Sequence, residues 1–318
     1  MRNPILVVIL CTVLMCAGCF GSSRPSGARP GRTAEQVESE QRRATAADAM
    51  DKARQLYHDG EYLDEDAALE YLNEAVELDP NQATALFQRA KIYMTRGMLS
   101  EASQDVDRVL KIKPDDLEAR FTKGVLMYQL GNCVEANRAF SAVLERNDSI
   151  SEAFAMRGAC YVNQGRFKDA VYDFSKTLAL NPAHKDAYYN RGIANLSLGY
   201  NLRALHDLTQ AMTLDSESIE ILMMRGAIYM KLNQYENALG DFERAAELEP
   251  NGHAILGLLA EAQAKMKHYD KAIKTARRAR NLASAIGDQK AAAAYGEVID
   301  SYTAMGREAE QAAPSESQ

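Results

Sequence analysis

The sequence predicts an all-α protein: a solenoid of about seven helix–turn–helix repeats with a C-terminal capping helix. Three observations carry this. Alanine stands at 68, 102, 136, 170, 204, 238 and 272, seven times at intervals of 34, and a fixed period of this size marks stacked helical units. Glycine stands five residues before four of those alanines, at Gly97, Gly131, Gly165 and Gly199. Proline stands twelve residues after four of them, at Pro80, Pro114, Pro182 and Pro250.

Each column has a physical job. Glycine adopts the left-handed backbone that ends one helix and turns the chain into the next, and proline stops the second helix. Twelve residues before the alanine lies a small residue: Ala90, Gly124, Gly158, Gly192, Gly226 and Ala260. Four residues after it lies a large apolar one: Val106, Phe140, Phe174, Leu208 and Phe242. Small residues let two helices approach, and the large residue fills the space between them. A leucine at Ala170 is expected to overpack that crossing. Charge repeats as well. Arg89, Arg157, Arg191 and Arg225 share a column, with Lys123 in the same place, and Asp105, Asp173, Asp207 and Asp241 share another. An Arg–Asp pair bridging the two helices is expected as a feature of the fold; solvated charges are the alternative.

Together these columns resemble the tetratricopeptide-repeat (TPR) family, over residues 46–287. The departures are local. Gly60 and Gly97 are 37 apart where the alanines keep 34, which puts three extra residues in the first inter-helix loop, around Tyr62–Asp66. Asn233 and Lys267 replace the turn glycine in the last two repeats, and Ala276 replaces the large apolar residue, as terminal repeats degenerate.

The ends of the chain read differently. Residues 1–18 have the layout of a signal peptide: Arg2, a short apolar run over Ile5–Leu14, then small residues. Cys16-Ala17-Gly18-Cys19 resembles the bacterial lipobox, which implies lipidation at Cys19 and a membrane anchor; plain secretion and a retained anchor are the alternatives. An aliphatic residue usually stands where Cys16 does. Phe20 follows the cysteine in place of an inner-membrane-retaining aspartate, so the resemblance favours the outer membrane. Residues 19–45 carry little that could be buried and are expected to be a flexible tether. After the repeats, 288–306 is expected to form the capping helix, with Asp288 at its N-terminus and Gly306 ending it, and 307–318 a polar tail.

Composition excludes some classes. At 318 residues with 47% hydrophobic content the chain can build a continuous core, and a net charge of −7 argues against nucleic-acid partners. Outside the leader and Cys19, only Cys133 and Cys160 remain, and buried free thiols are favoured over a disulfide. Apart from Cys16–Cys19 in the leader no CxxC is present, nor is a phosphate loop or HExxH, and the five histidines lack metal-ligand spacing. No catalytic residue, metal or cofactor is expected, and an enzyme with an unrecognised site is disfavoured.

Function then falls to the concave face lined by the first helix of each repeat. The positions at which the family lines its groove hold Phe87, Met94, Phe121, Tyr128, Tyr189, Met223 and Met230, which suit an adaptable protein- or peptide-binding surface. Packing between neighbouring helices is the competing role for them. The family's clamp for chaperone C-termini needs groove lysines and asparagines, and Lys91 is alone. Two charged features complete the reading. Glu118, Glu152, Asp186 and Glu220 form a ladder in the first turns of successive helices, where acids suit the dipole; an acidic rim for basic partners is the minority view. Lys267, Lys271, Lys274 and Arg278 form a basic stripe, either a solvated face or a contact for anionic lipid or an acidic partner. The expected protein is a tethered scaffold in the cell envelope. Its layout is similar to outer-membrane TPR lipoproteins serving envelope hydrolases, pili or secretion machines, with self-association as the alternative use of the groove.

Overall fold

A computed structural model describes residues 33–58 and 61–312. The described chain forms seven helix pairs and a final helix. In order these are α1 (Ala34–Gln55) with α2 (Glu65–Leu78), α3 (Ala83–Thr95) with α4 (Leu99–Ile112), and α5 (Leu117–Gln129) with α6 (Cys133–Arg146). Then come α7 (Ser151–Asn163) with α8 (Phe167–Leu180), α9 (Lys185–Ser197) with α10 (Asn201–Leu214), and α11 (Ile219–Lys231) with α12 (Tyr235–Leu248). The series closes with α13 (His253–Lys265), α14 (Tyr269–Ala285) and the cap α15 (Gln289–Ala312). Each helix packs on its neighbours in sequence, so the core is a continuous seam rather than a single centre.

The turn column works as its chemistry requires. Gly97, Gly131, Gly165 and Gly199 have φ of 71, 76, 71 and 80°. Asn233 and Lys267 take the same left-handed conformation at 57 and 63°, a strain of about 1–2 kcal/mol for a residue with a Cβ. The turn's hydrogen bonds hold them there: Gln234 N donates to Tyr229 O at 2.9 Å, and His268 N donates to Gln263 O at 2.9 Å.

All seven alanines of the 34-residue column are fully buried at 0% exposure. The small and large columns meet face to face. A Cβ on Gly124 would lie 2.6 Å from the Phe140 ring, on Gly158 3.0 Å from Phe174, on Gly192 3.2 Å from Leu208, and on Gly226 2.6 Å from Phe242. Backbone of the first helix therefore rests directly on the large side chain of the second.

The Arg–Asp columns also meet. Arg89 grips Asp105 through Nε (2.7 Å) and Nη2 (2.8 Å), and Arg157 grips Asp173 at 2.8 and 2.9 Å. Arg191 holds Asp207 and Arg225 holds Asp241 in the same fork. The third guanidinium nitrogen reaches back to the preceding repeat, donating from Arg89 to Asn73 Oδ1 (2.9 Å), from Arg157 to Ser141 Oγ (3.0 Å) and from Arg191 to Ser175 Oγ (3.0 Å). These arginines thus fasten a helix pair internally and to its neighbour. Lys123 faces Ala139 in its own repeat and keeps only the backward link, to Asp107 Oδ2 and Ser103 Oγ, both at 2.8 Å.

Three boundaries differ from the expectation. The stretch 34–45, expected within the tether, forms the first turns of α1, started by a capping box between Thr33 and Gln36. Buried residues appear on that helix only from Ala46, so its early turns stand in solvent, where apolar content was a poor guide to helicity. The first inter-helix loop carries the extra residues as expected, but it lies at 56–64 and not around 62–66: β1 (Tyr57–His58) and β2 (Glu61–Tyr62) pair antiparallel in it, while Glu65 and Asp66 already belong to α2. Nor does Gly306 end the cap, since α15 runs on to Ala312 and takes in the start of the expected tail. Gly306 is there for proximity: a Cβ on it would come within 3.3 Å of Tyr269 Cβ. Asp288 does cap α15, accepting from Ala291 N at 2.9 Å. The expected signal peptide and Cys19 lie outside the described residues.

Candidate functional site

The first helices of the last three repeats share an open apolar cavity of about 480 Å³. Tyr189 and Leu196 reach it from α9, Met223, Met224 and Ala227 from α11, and Leu258 from α13. Residues seven apart on α9 and four apart on α11 share one helix face, which is why these side chains meet. Glu220 and Lys231 border the cavity from opposite ends of α11, about 16 Å apart along the axis at 1.5 Å per residue. The result is an apolar bed with an acid at one end and a base at the other. Burial, and secondarily the Glu220 carboxylate, push the Tyr189 phenol above its ordinary value, so it remains a neutral hydroxyl. Such a surface can take an extended or helical apolar segment through dispersion and desolvation, and its methionines can re-pack around different shapes.

Of the seven groove residues expected from sequence, Tyr189 and Met223 line this cavity together. All seven are half-buried, Tyr189 and Met223 included, and the other five lie apart from this cavity. Phe87 lies under the Lys91 ammonium, 4.7 Å from its ring centroid, and Lys91 Nζ donates to Glu118 at 2.9 Å. Met94 and Tyr128 pack against the core around Phe140. Phe121 sits 5.6 Å from the Phe140 ring and also joins the cluster around Phe154, so it fills the space between repeats. Met230 packs on the core around Phe242. Sequence reading missed Met224 and Leu258. They stand 34 residues apart in one column, and that shared apolar column was the available signal.

A second cavity, about 380 Å³, lies beside the hairpin of the first repeat and is lined by Tyr57, Tyr62, Glu65, Gln88, Lys91 and Thr95 among others. The two tyrosine rings meet edge to face at 4.9 Å, so the inserted residues build a wall at the N-terminal end of the same helix row.

The four residues of the basic stripe have different surroundings. Lys271 and Lys274 are exposed on α14, whereas Lys267 is the left-handed turn residue and Arg278 donates to the Pro250 carbonyl at 2.7 Å. Arg108 makes the same bond to Pro80, at 2.7 Å, which marks Arg278 as part of a structural column. In the acidic ladder, Glu152 meets His184 at 3.3 Å and Glu220 accepts from Ser218 Oγ at 3.1 Å. Cys133 and Cys160 are free thiols, and burial, with a hydrogen bond to Cys133, pushes the Cys160 thiol up to about 12. Among the described residues there is no group of three or more His, Cys, Asp or Glu placed to hold a metal, and no helix long and apolar enough to cross a membrane.

A row of paired helices fastened by a repeating Arg–Asp fork, with an apolar face on the first helices, defines a helical-repeat scaffold. The chain belongs to the tetratricopeptide-repeat family: models of that repeat match residues 64–116, 121–182, 161–215 and 219–251. No curated protein sequence matches it. Solved structures do. One is YrrB, described as a TPR protein with an unusual peptide-binding site, at 23% identity and TM-score 0.51 over 60% of this chain and 96% of that one. Another is the Pseudomonas aeruginosa pilF protein, at 15% identity and TM-score 0.57 over 68% and 96%. A third is a tetratricopeptide repeat protein from Parabacteroides merdae, at 18% identity and TM-score 0.53 over 84% and 99%. At these identities the likeness is one of fold.

Proposed function

We propose that this protein is a membrane-tethered adaptor of the cell envelope that holds an apolar peptide segment of a partner protein against α9, α11 and α13. The observation that carries the reading is the cavity shared by Tyr189, Met223, Met224 and Leu258, which is almost wholly apolar yet open to solvent. An open apolar recess is costly to leave wet and suits a partner's side chains. The peptide-binding site named for YrrB supports the same use of the fold. The Cys16–Cys19 motif supports a lipid anchor at Cys19, and with it an outer-membrane location facing the periplasm. Pilus, secretion or peptidoglycan machinery is the setting that the layout favours.

The test is a photo-crosslinking amino acid placed at Ala227, inside the recess, and separately at Val134, which is 57% exposed on α6. A discrete partner adduct should form from position 227 in intact cells and not from 134. Adducts from 134 alone would place the partner elsewhere and end this reading. For the anchor, Cys19→Ser should move the protein from the membrane to the soluble fraction; a variant still held by membranes would remove Cys19 from the account.

A further inference from the structure

The fifth repeat lacks a side chain that the fourth and sixth carry. In the second, fourth and sixth repeats Tyr93, Tyr161 and Tyr229 stand four residues after the fork arginine, successively 68 residues apart in one column. Their rings lie 5.6, 5.9 and 5.9 Å from the guanidinium carbons of Arg89, Arg157 and Arg225, within cation–π range. In the fifth repeat the same column holds Asn195. Its Nδ2 donates to Asp207 Oδ2 at 2.9 Å, so the amide joins the Arg191–Asp207 fork. The residue is only 3% exposed, and its Oδ1 is buried with no hydrogen-bond partner among the described residues.

A cavity of about 350 Å³ opens here, lined by Val171, Arg191, Asn195, Leu202, His206 and Asp207 among others. It lies between α8 and α10, the second helices of two successive repeats, with Arg191 and Asn195 of α9 also lining it, and it shares no lining residue with the recess on α9, α11 and α13. Leu202 at its rim is 69% exposed, an aliphatic side chain with nothing covering it.

We propose that this cavity is a socket for a tyrosine side chain of a partner protein. The incoming ring takes the place that Tyr161 fills one repeat earlier, lying against the Arg191 guanidinium and under Leu202. Its hydroxyl supplies the donor that Asn195 Oδ1 lacks, reached by a small movement of the amide. The protein then has two docking sites, an apolar one on α9, α11 and α13 and one for an aromatic side chain between α8, α9 and α10.

The probe is p-cresol, the tyrosine side chain without its backbone, titrated into the full chain and followed by the side-chain NMR signals of Asn195 and His206. Saturable shifts with a Kd on the order of 1 mM are expected for a ligand of this size. Toluene should bind several-fold more weakly, and N-acetyltyrosinamide at least as tightly as p-cresol. Asn195→Tyr, which fills the socket from within, should abolish the shifts. Tyr161→Asn should create a second site in the fourth repeat, and it decides the matter if Asn195→Tyr proves unfolded by circular dichroism. No saturable binding, or binding that survives in folded Asn195→Tyr, would overturn the socket. So would a Tyr161→Asn variant that gains no site. Equal affinity for toluene would remove the phenol assignment, and weaker binding of N-acetyltyrosinamide would remove the partner's tyrosine as the occupant.

Discussion

Gly124 and Phe140 touch so closely that a Cβ on the glycine would lie 2.6 Å from the ring, closer than real Cβ contacts come. The same relation joins Gly226 to Phe242 at 2.6 Å, and it relaxes to 3.2 Å between Gly192 and Leu208. Four repeats are therefore closed by a backbone-to-side-chain contact, at 2.6 to 3.0 Å where the large residue is phenylalanine and 3.2 Å where it is leucine.

Gly124→Ala and Gly226→Ala should each lower stability by about 1–3 kcal/mol through overpacking, and Gly192→Ala by less. Gly240→Ala serves as the control. It lies in α12 with nothing within 4 Å of its added Cβ, so it should gain about 0.5–1 kcal/mol from helix propensity. Thermal melts of the four variants check the order. Equal losses at Gly124 and Gly192 would show that the crossing adjusts freely.

Arg157 and Asp173 are a buried pair in which burial pushes the carboxyl up and the guanidinium pulls it back. Removing Arg157 alone, as Arg157→Leu, should cost about 3–5 kcal/mol, while Arg157→Leu with Asp173→Leu should recover much of that loss. The sign with pH follows. Without its arginine, Asp173 has a folded pKa raised further above the unfolded value, so the single variant should gain stability as pH falls and lose it as pH rises through that folded pKa. Urea melts from pH 4 to 8 measure this, and a flat profile for the single variant would contradict the burial argument.

Phe121 and Tyr189 were equivalent by position in the repeat, and the structure separates them. Phe121→Ala should behave as a core truncation, with a loss of about 3 kcal/mol or more. Tyr189→Ala with Met223→Ala should leave the melting temperature nearer wild type and weaken adduct formation from the Ala227 photo-crosslinker. If the double variant melts as low as Phe121→Ala, the recess is a packing defect and not a surface for a partner.

The two thiols should differ in reactivity. With its pKa pushed up to about 12, Cys160 stays a neutral thiol at pH 8 and is buried, so iodoacetamide should modify Cys133 well before Cys160 in native protein. Peptide mapping by mass spectrometry reads this directly. Rapid labelling of Cys160 without denaturant would mean that α7 opens on the reaction timescale.

The 34-residue alanine period, the turn glycines and the paired Arg and Asp columns were enough to specify seven helix pairs, because each column reports a contact repeated in nearly every unit. Periodicity could also place Asn233 and Lys267 in left-handed turns, since the neighbouring columns leave the chain no other route. It was silent where a feature occurs once. The extension of α15 past Gly306 and the solvent-exposed start of α1 leave no periodic trace, and at the first inter-helix loop the 37-residue glycine spacing marked an insertion without stating that it pairs as β1 and β2. The site shows the same division. Sequence named Tyr189 and Met223 as members of one row with Phe121, but a residue's place in a row does not state what its neighbour's side chain fills. Phe140 takes up Phe121, whereas on α9, α11 and α13 the corresponding volume stays open. Only the stacking of one repeat on the next decides which apolar side chains are spent on the core and which remain for a partner.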